Sequence, residues 1–123
     1  MRVSKEEVSE GLNRVVLVGE VTSSLVTREL SDESVVSTFD LLTEIESGRA
    51  TVPVSVEGVP SVVEVGAQVC VIGFVRRRFF RSGASVASRT EVVADVITPM
   101  RRKAQVRKAV QSVVEDLSSF LDA

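Results

Sequence analysis

Short apolar runs alternate with polar, glycine-bearing breaks as far as residue 99, and then the period changes. Residues 13–21 (NRVVLVGEV) form a compact run rich in β-branched side chains, in which Gly19 predicts a bulge or sharp bend. Residues 22–34 are polar and read as a loop or weak hairpin. In residues 35–45, Val35, Phe39, Leu41 and Ile45 share one face of a strand by period two. A turn at Glu46, Ser47 and Gly48 leads into residues 49–57, which alternate cleanly and put Val52, Val54 and Val56 on one side. Pro53 has no N–H to give to a ladder, so this strand is expected at an edge or a bulge. Residues 58–66 leave little room for a full helix. Residues 67–81 and 85–97 then read as two long strands around a turn at Ser82, Gly83 and Ala84, a hairpin with a basic arm. Five strands with glycine punctuation predict an all-β domain, a small barrel or sandwich.

Pro99 ends that pattern. From Arg101 the spacing becomes helical: Val106, Val110, Val113, Leu117 and Phe120 recur at steps of 4, 3, 4 and 3, with Val114 and Leu121 alongside. An apolar stripe two heptads long serves either packing on its own barrel or pairing with another chain. Its charges run against the helix dipole, with Arg101, Arg102, Lys103, Arg107 and Lys108 at the start and Glu115, Asp116 and Asp122 at the end. Each such mismatch costs about 0.3–1 kcal/mol at an exposed terminus. Two antiparallel copies would set each basic start against the other's acidic end; alternatively the basic start extends the cationic surface of the hairpin. At the other end of the chain, Ser4 and Glu7 have capping-box spacing and predict a short helix stopped at Gly11. The expected organisation is an extension or short helix over 1–10, a β domain over 11–98 and the amphipathic helix over 99–123.

Overall charge conceals the distribution that matters. The net charge is −2, but residues 1–75 carry 5 basic and 12 acidic groups, residues 76–108 carry 10 and 2, and residues 109–123 carry none and 3. A local +8 is enough to attract a polyanion whatever the total, because phosphate binding follows the local field. Within it lies residues 73–81 (GFVRRRFFR), with four arginines and three of the five phenylalanines in a chain that has no Trp or Tyr. Cations beside flat apolar rings suit a single nucleic-acid strand, which offers phosphates to the one and base faces to the other. Strand parity groups Phe80 with Arg76 and Arg78, and Phe79 with Arg77 and Arg81. One ring is expected in the core and the other exposed.

Other chemistries find little to build on. The chain has no histidine, the commonest general base, and no glycine-rich phosphate loop. The single Cys70 sits in the apolar run VCVI and reads as a buried thiol, neither part of a metal cluster nor an activated nucleophile. Asp40, Glu44 and Glu46 read as solvated. No catalysis, cofactor, metal or small-molecule substrate is expected. No run of about 18 apolar residues exists to span a membrane, and the N-terminus lacks the apolar stretch of a signal peptide, so a cytoplasmic location is the default expectation.

Four segments, in order, resemble the bacterial single-stranded DNA-binding protein family. Residues 11–19 (GLNRVVLVG) resemble its opening strand, G-x-N-K/R-V-x-L-x-G, and residues 37–41 (STFDL) its second strand. Residues 65–73 (VGAQVCVIG) resemble K-G-S-x-V-x-I-x-G, and residues 90–93 (TEVV) the closing T-T-E-V-V. The resemblance spans about residues 11–97 and implies a five-stranded OB-fold barrel, here with a C-terminal amphipathic helix. It also implies weakly sequence-dependent binding of single-stranded DNA in replication, recombination or repair by a homo-oligomer, commonly a tetramer, with a dimer also open.

The departures make it resemble a divergent paralogue. Arg49, Ala50 and Thr51 stand where a Trp and a His are usual, Ser88 where an aromatic precedes T-T-E-V-V, and Glu20 where a basic residue follows the first-strand glycine. The connection 58–66 is shorter than the family's helix-containing segment, and residues 117–123 complete a helix where the family has an acidic tail. Phe80 alone matches an expected stacking aromatic. The candidate nucleic-acid-binding residues are therefore Arg49, Arg76, Arg77, Arg78, Phe80, Arg81 and Arg89, with Val106, Val110, Val113, Leu117 and Phe120 as the oligomer or partner stripe. Fewer stacking platforms and more arginines imply binding that falls steeply with salt. The competing reading is a protein-interaction adaptor of the same fold, its arginines solvated or paired with the acidic first half. Nothing in these residues separates DNA from RNA.

Overall fold

The computed structural model describes residues 11–122, so the short helix expected at Ser4 lies outside the described residues. Seven elements follow in order: β1 (Val15–Val21), β2 (Val26–Glu29), β3 (Val35–Ile45), β4 (Gly48–Glu57), β5 (Gln68–Ser82), β6 (Ser85–Pro99) and α1 (Lys103–Asp122). Hydrogen bonding runs in the order β1-β5-β6-β4-β3-β2, and β1 also meets β3 at Glu20↔Leu42 and Val21↔Leu41. That last contact closes β1, β3, β4, β6 and β5 into a five-stranded barrel. All neighbours are antiparallel except β4 and β6, which run parallel at Val54↔Val92 and Ser55↔Val93. The weak hairpin expected in residues 22–34 forms as β2, an extra edge strand on β3, its turn closed by Leu30 N–H donating to Ser34 O.

Alternation decides what lies inside. Val21, Phe39, Leu41, Val54, Val69, Val71, Val92 and Ala94 fill the barrel, with Val63 from the 58–66 connection as a plug. Two glycines are required by close approach. A Cβ on Gly19 would stand 2.2 Å from Leu42 O, and one on Gly73 1.8 Å from Val93 O. Of the two alternatives at Gly19, the bulge is not formed: the β1–β5 register passes through Gly19↔Val69 unbroken, and the glycine makes room for β3 where β1 goes on to meet it at Glu20 and Val21. The irregularity lies at Ile72 and Gly73, where β6 gains a residue.

Pro53 is also placed differently from expectation, in an internal strand between β3 and β6. Its partner Asp40 turns its main-chain groups away from β4: Asp40 N–H donates to Ser23 Oγ at 2.8 Å, and its carbonyl accepts from Thr22 N–H at 3.0 Å. No ladder bond to β3 is asked of Pro53, and the short parallel ladder to β6 starts one residue later.

The odd residues Val69 and Val71 point into the barrel, so Cys70 and Ile72 face outward, and both are buried. α1 covers that outer face of β5 and β6. Pro99 O accepts from Arg102 N–H, and Met100 N–H donates to Gln68 O, holding the chain at the helix start. Toward the other end, Arg14 bridges Asp95 at 2.8 Å and Asp116 of α1 at 3.4 Å. One acidic group of the helix end is thus met by its own barrel. No described helix is long and apolar enough to cross a membrane.

Candidate nucleic-acid interface

From Arg76↔Glu91 to Ser82↔Ser85, β5 and β6 pair with each other and with no other strand. The hairpin thus leaves the barrel as a two-stranded arm carrying Arg76, Arg77, Arg78, Arg81, Arg89, Phe79 and Phe80. The register sorts them. One face holds Arg76, Arg78 and Phe80 with Glu91, Arg89 and Ala87 opposite, and it continues the barrel's outer surface at Ser55 and Val93. The other holds Arg77, Phe79 and Arg81 with Thr90, Ser88 and Val86 opposite, and it continues the side of Val75 and Val92.

On the outer face the charges are largely spoken for. Glu91 is only 3% exposed. Its Oε2 accepts from Arg76 Nε at 3.1 Å, Arg76 Nη2 at 3.0 Å and Ser55 Oγ at 3.2 Å, and its Oε1 lies 3.5 Å from Arg78 Nε. A buried carboxylate needs such donors, since an unpaired one would cost several kcal/mol, of order. The Arg78 guanidinium also sits 5.4 Å from the Phe80 ring centroid, within cation–π range. Arg89 lies 3.6 Å from Asp40, so Asp40 is an ion-pair partner rather than a purely solvated acid, and the pairing with the acidic first half is realised at this one arginine.

Arg76 and Arg78 border two hollows that meet at Val36, one of about 330 Å³ with Asp32 and Ser34 in its wall, the other of about 90 Å³ with Val26 and Arg28. Hydrogen bonds from the Ser34 hydroxyl and Ser34 N–H hold the Asp32 carboxyl below its ordinary pKa, so that wall is anionic at neutral pH.

The inner face differs. Arg77 and Arg81 make no ion pair with any described residue, and no carboxylate stands opposite them. Phe79 is 67% exposed and Phe80 38%. The expectation that one ring enters the core is therefore wrong: both lie on the arm past the last barrel pairing, where neither face has a core to enter.

Arg49 is not brought to the arm. It lines a separate hollow with Glu20, Glu44 and Gln68 between β1, β3, β4 and β5. Along α1, Val106, Val110 and Val113 are half-buried, while Leu117, Phe120 and Leu121 are exposed.

The two acids, Glu91 and Asp40, escaped the sequence reading, although the first was within reach of arithmetic. A two-residue turn at Gly83 and Ala84 pairs positions whose numbers sum to a constant, which sets 91 against 76 and 89 against 78. Asp40 meets Arg89 only through the barrel's closure, a contact without a local signal.

The strand order and parallel β4–β6 closure define an OB-fold barrel with a C-terminal helix. Among solved structures, the chain is similar to the N-terminal domain of the PriB protein from Thermoanaerobacter tencongensis, described as dimeric. The TM-score is 0.55 at 22% identity, covering 71% of this chain and 94% of that one, a likeness of fold. No protein-family model matches the chain, and no curated protein matches it in sequence.

Proposed function

We propose that the chain binds single-stranded DNA without catalysing a reaction, through the arm formed by β5 and β6. The observation that carries this is the arm itself: five arginines and two exposed phenyl rings on a hairpin that projects from an OB-fold barrel. Rings stack on bases for about 1–3 kcal/mol each, and arginines meet phosphates, so the strand is held by features common to every nucleotide and is read weakly. Phe80, gripped by Arg78, is the stacking ring on the outer face. Arg76, Arg78 and Arg89 keep guanidinium N–H groups beyond those on Glu91 and Asp40 for phosphates, although the two carboxylates offset part of their attraction. The resemblance of residues 11–97 to single-stranded DNA-binding proteins supports a place in replication, recombination or repair.

We further propose a homo-oligomer, built through Leu117 and Phe120 at the end of α1, where the apolar stripe outruns its own barrel. The dimeric description of the PriB domain supports pairing. The charge order of α1 favours an antiparallel partner, with the basic Lys103 end of one copy beside Glu115 and Asp122 of the other.

The test is a fluorescence titration with labelled single-stranded and duplex DNA at low and physiological salt. Preferential, salt-sensitive binding of the single strand is expected. No binding to single strands at low salt contradicts the reading, and equal binding of duplex reduces it to unspecific charge.

A further inference from the structure

The arm has two faces, and the one that carries Phe80 is the less available of the two. Glu91 and Asp40 engage Arg76, Arg78 and Arg89 there. On the opposite face, Arg77 and Arg81 flank Phe79 at period two, and their cross-strand neighbours Thr90, Ser88 and Val86 are uncharged. A phenyl ring that is 67% exposed costs hydrophobic free energy with no return inside the monomer. Two guanidinium groups without described acidic partners have no neighbouring carboxylate to compete with an incoming anion. A surface of this kind fits a ligand that alternates anionic groups with flat faces, which is the repeat of a single nucleic-acid strand. A peptide partner would be served as well by the ring, but the paired, uncompensated cations favour phosphates.

We propose that Arg77, Phe79 and Arg81 form a second track for the same class of ligand, on the inner face of the arm, with Phe79 as its stacking ring. This rests on the reading of the arm as a single-strand binder and adds a site to it. The strand touches both faces, and the small residues Gly83 and Ala84 at the tip leave its path between them unobstructed.

The chain contains no tryptophan, so Phe79→Trp installs a unique fluorophore on this face, and Phe80→Trp does the same on the other. Titration with unlabelled oligothymidylate is expected to quench the indole of Phe79→Trp saturably, while duplex DNA of equal charge is not. Phe79→Ala is expected to weaken binding by about 5- to 150-fold, the equivalent of one lost base stack, with the melting temperature unchanged. Arg77→Gln with Arg81→Gln is expected to reduce the salt slope by about 1.4, the worth of two phosphate contacts on a single strand. Unchanged indole emission in Phe79→Trp, while a labelled strand binds that same variant, overturns the second track and leaves the function intact. If the unmodified chain binds no single strand, both fall together.

Discussion

Glu91 is almost wholly withdrawn from water, yet three donors from two strands converge on it. Its negative charge offsets part of the positive charge of Arg76 and Arg78. A strand that binds these arginines therefore competes with a built-in carboxylate. Glu91→Gln is expected to raise affinity for single strands and steepen the salt slope by up to about 1.4, because two cations are released. It should also lower the unfolding free energy by about 1.5–3 kcal/mol, the usual worth of hydrogen bonds to a charged group. Salt titration and urea denaturation check the two halves separately, and an unaltered slope would mean that these arginines do not meet phosphates. Gly73→Ala is a contrasting case, expected to cost about 1–3 kcal/mol or more by urea denaturation without a direct effect on the arm, since its Cβ meets the Val93 carbonyl. At this scale the sequence displayed the arginines and rings plainly, because they are neighbours in the chain. It hid the acids, because pairing across strands depends on register and closure.

Among the elements, the strands and the helix follow closely from period and punctuation. Val52, Val54 and Val56 point inward as alternation requires, and α1 starts within two residues of the expected change of period. What the pattern alone does not carry is context: Gly19 and Pro53 stand out as local irregularities, and each is accommodated by a neighbouring strand. The helix stripe likewise has two duties that periodicity does not separate, half-burial at Val106, Val110 and Val113 and exposure at Leu117 and Phe120. Cys70 reports on the first duty. Burial pushes its thiol above the ordinary value of 9.0, so the thiolate that reacts with disulfide reagents is scarce in the folded chain. The associated stability is fully present below that ordinary value and is lost as pH rises through the shifted one. Removing residues 101–123 is expected to speed Cys70 labelling at neutral pH and, by light scattering, to lower the oligomeric mass. An unchanged mass, with circular dichroism showing an intact barrel, would count against pairing through the helix end.

For the whole molecule, the segregation of charge along the chain is carried into space only in part, since Asp40 and Glu91 meet arginines of the arm. The cations of residues 76–89 stand on an arm beyond the barrel pairings, whereas Glu20 and Glu44 line a hollow between barrel strands together with Arg49. The barrel itself was legible from five strands, their order and the four local motifs. The pairing of the arm's arginines was legible only in part: the turn's register sets Glu91 against Arg76, whereas Asp40 reaches Arg89 only across β4. Because the arm makes no ladder beyond Val75↔Val92 except with itself, it is separable in principle from the fold that carries it. The most direct measurement replaces residues 77–90 by a two-residue Asn-Gly turn joining Arg76 to Glu91 and titrates the product with labelled single-stranded DNA at low salt. The shortened barrel is expected to unfold cooperatively still and to have lost its affinity for the strand. Binding by the shortened chain at full affinity would contradict the arm's role in binding.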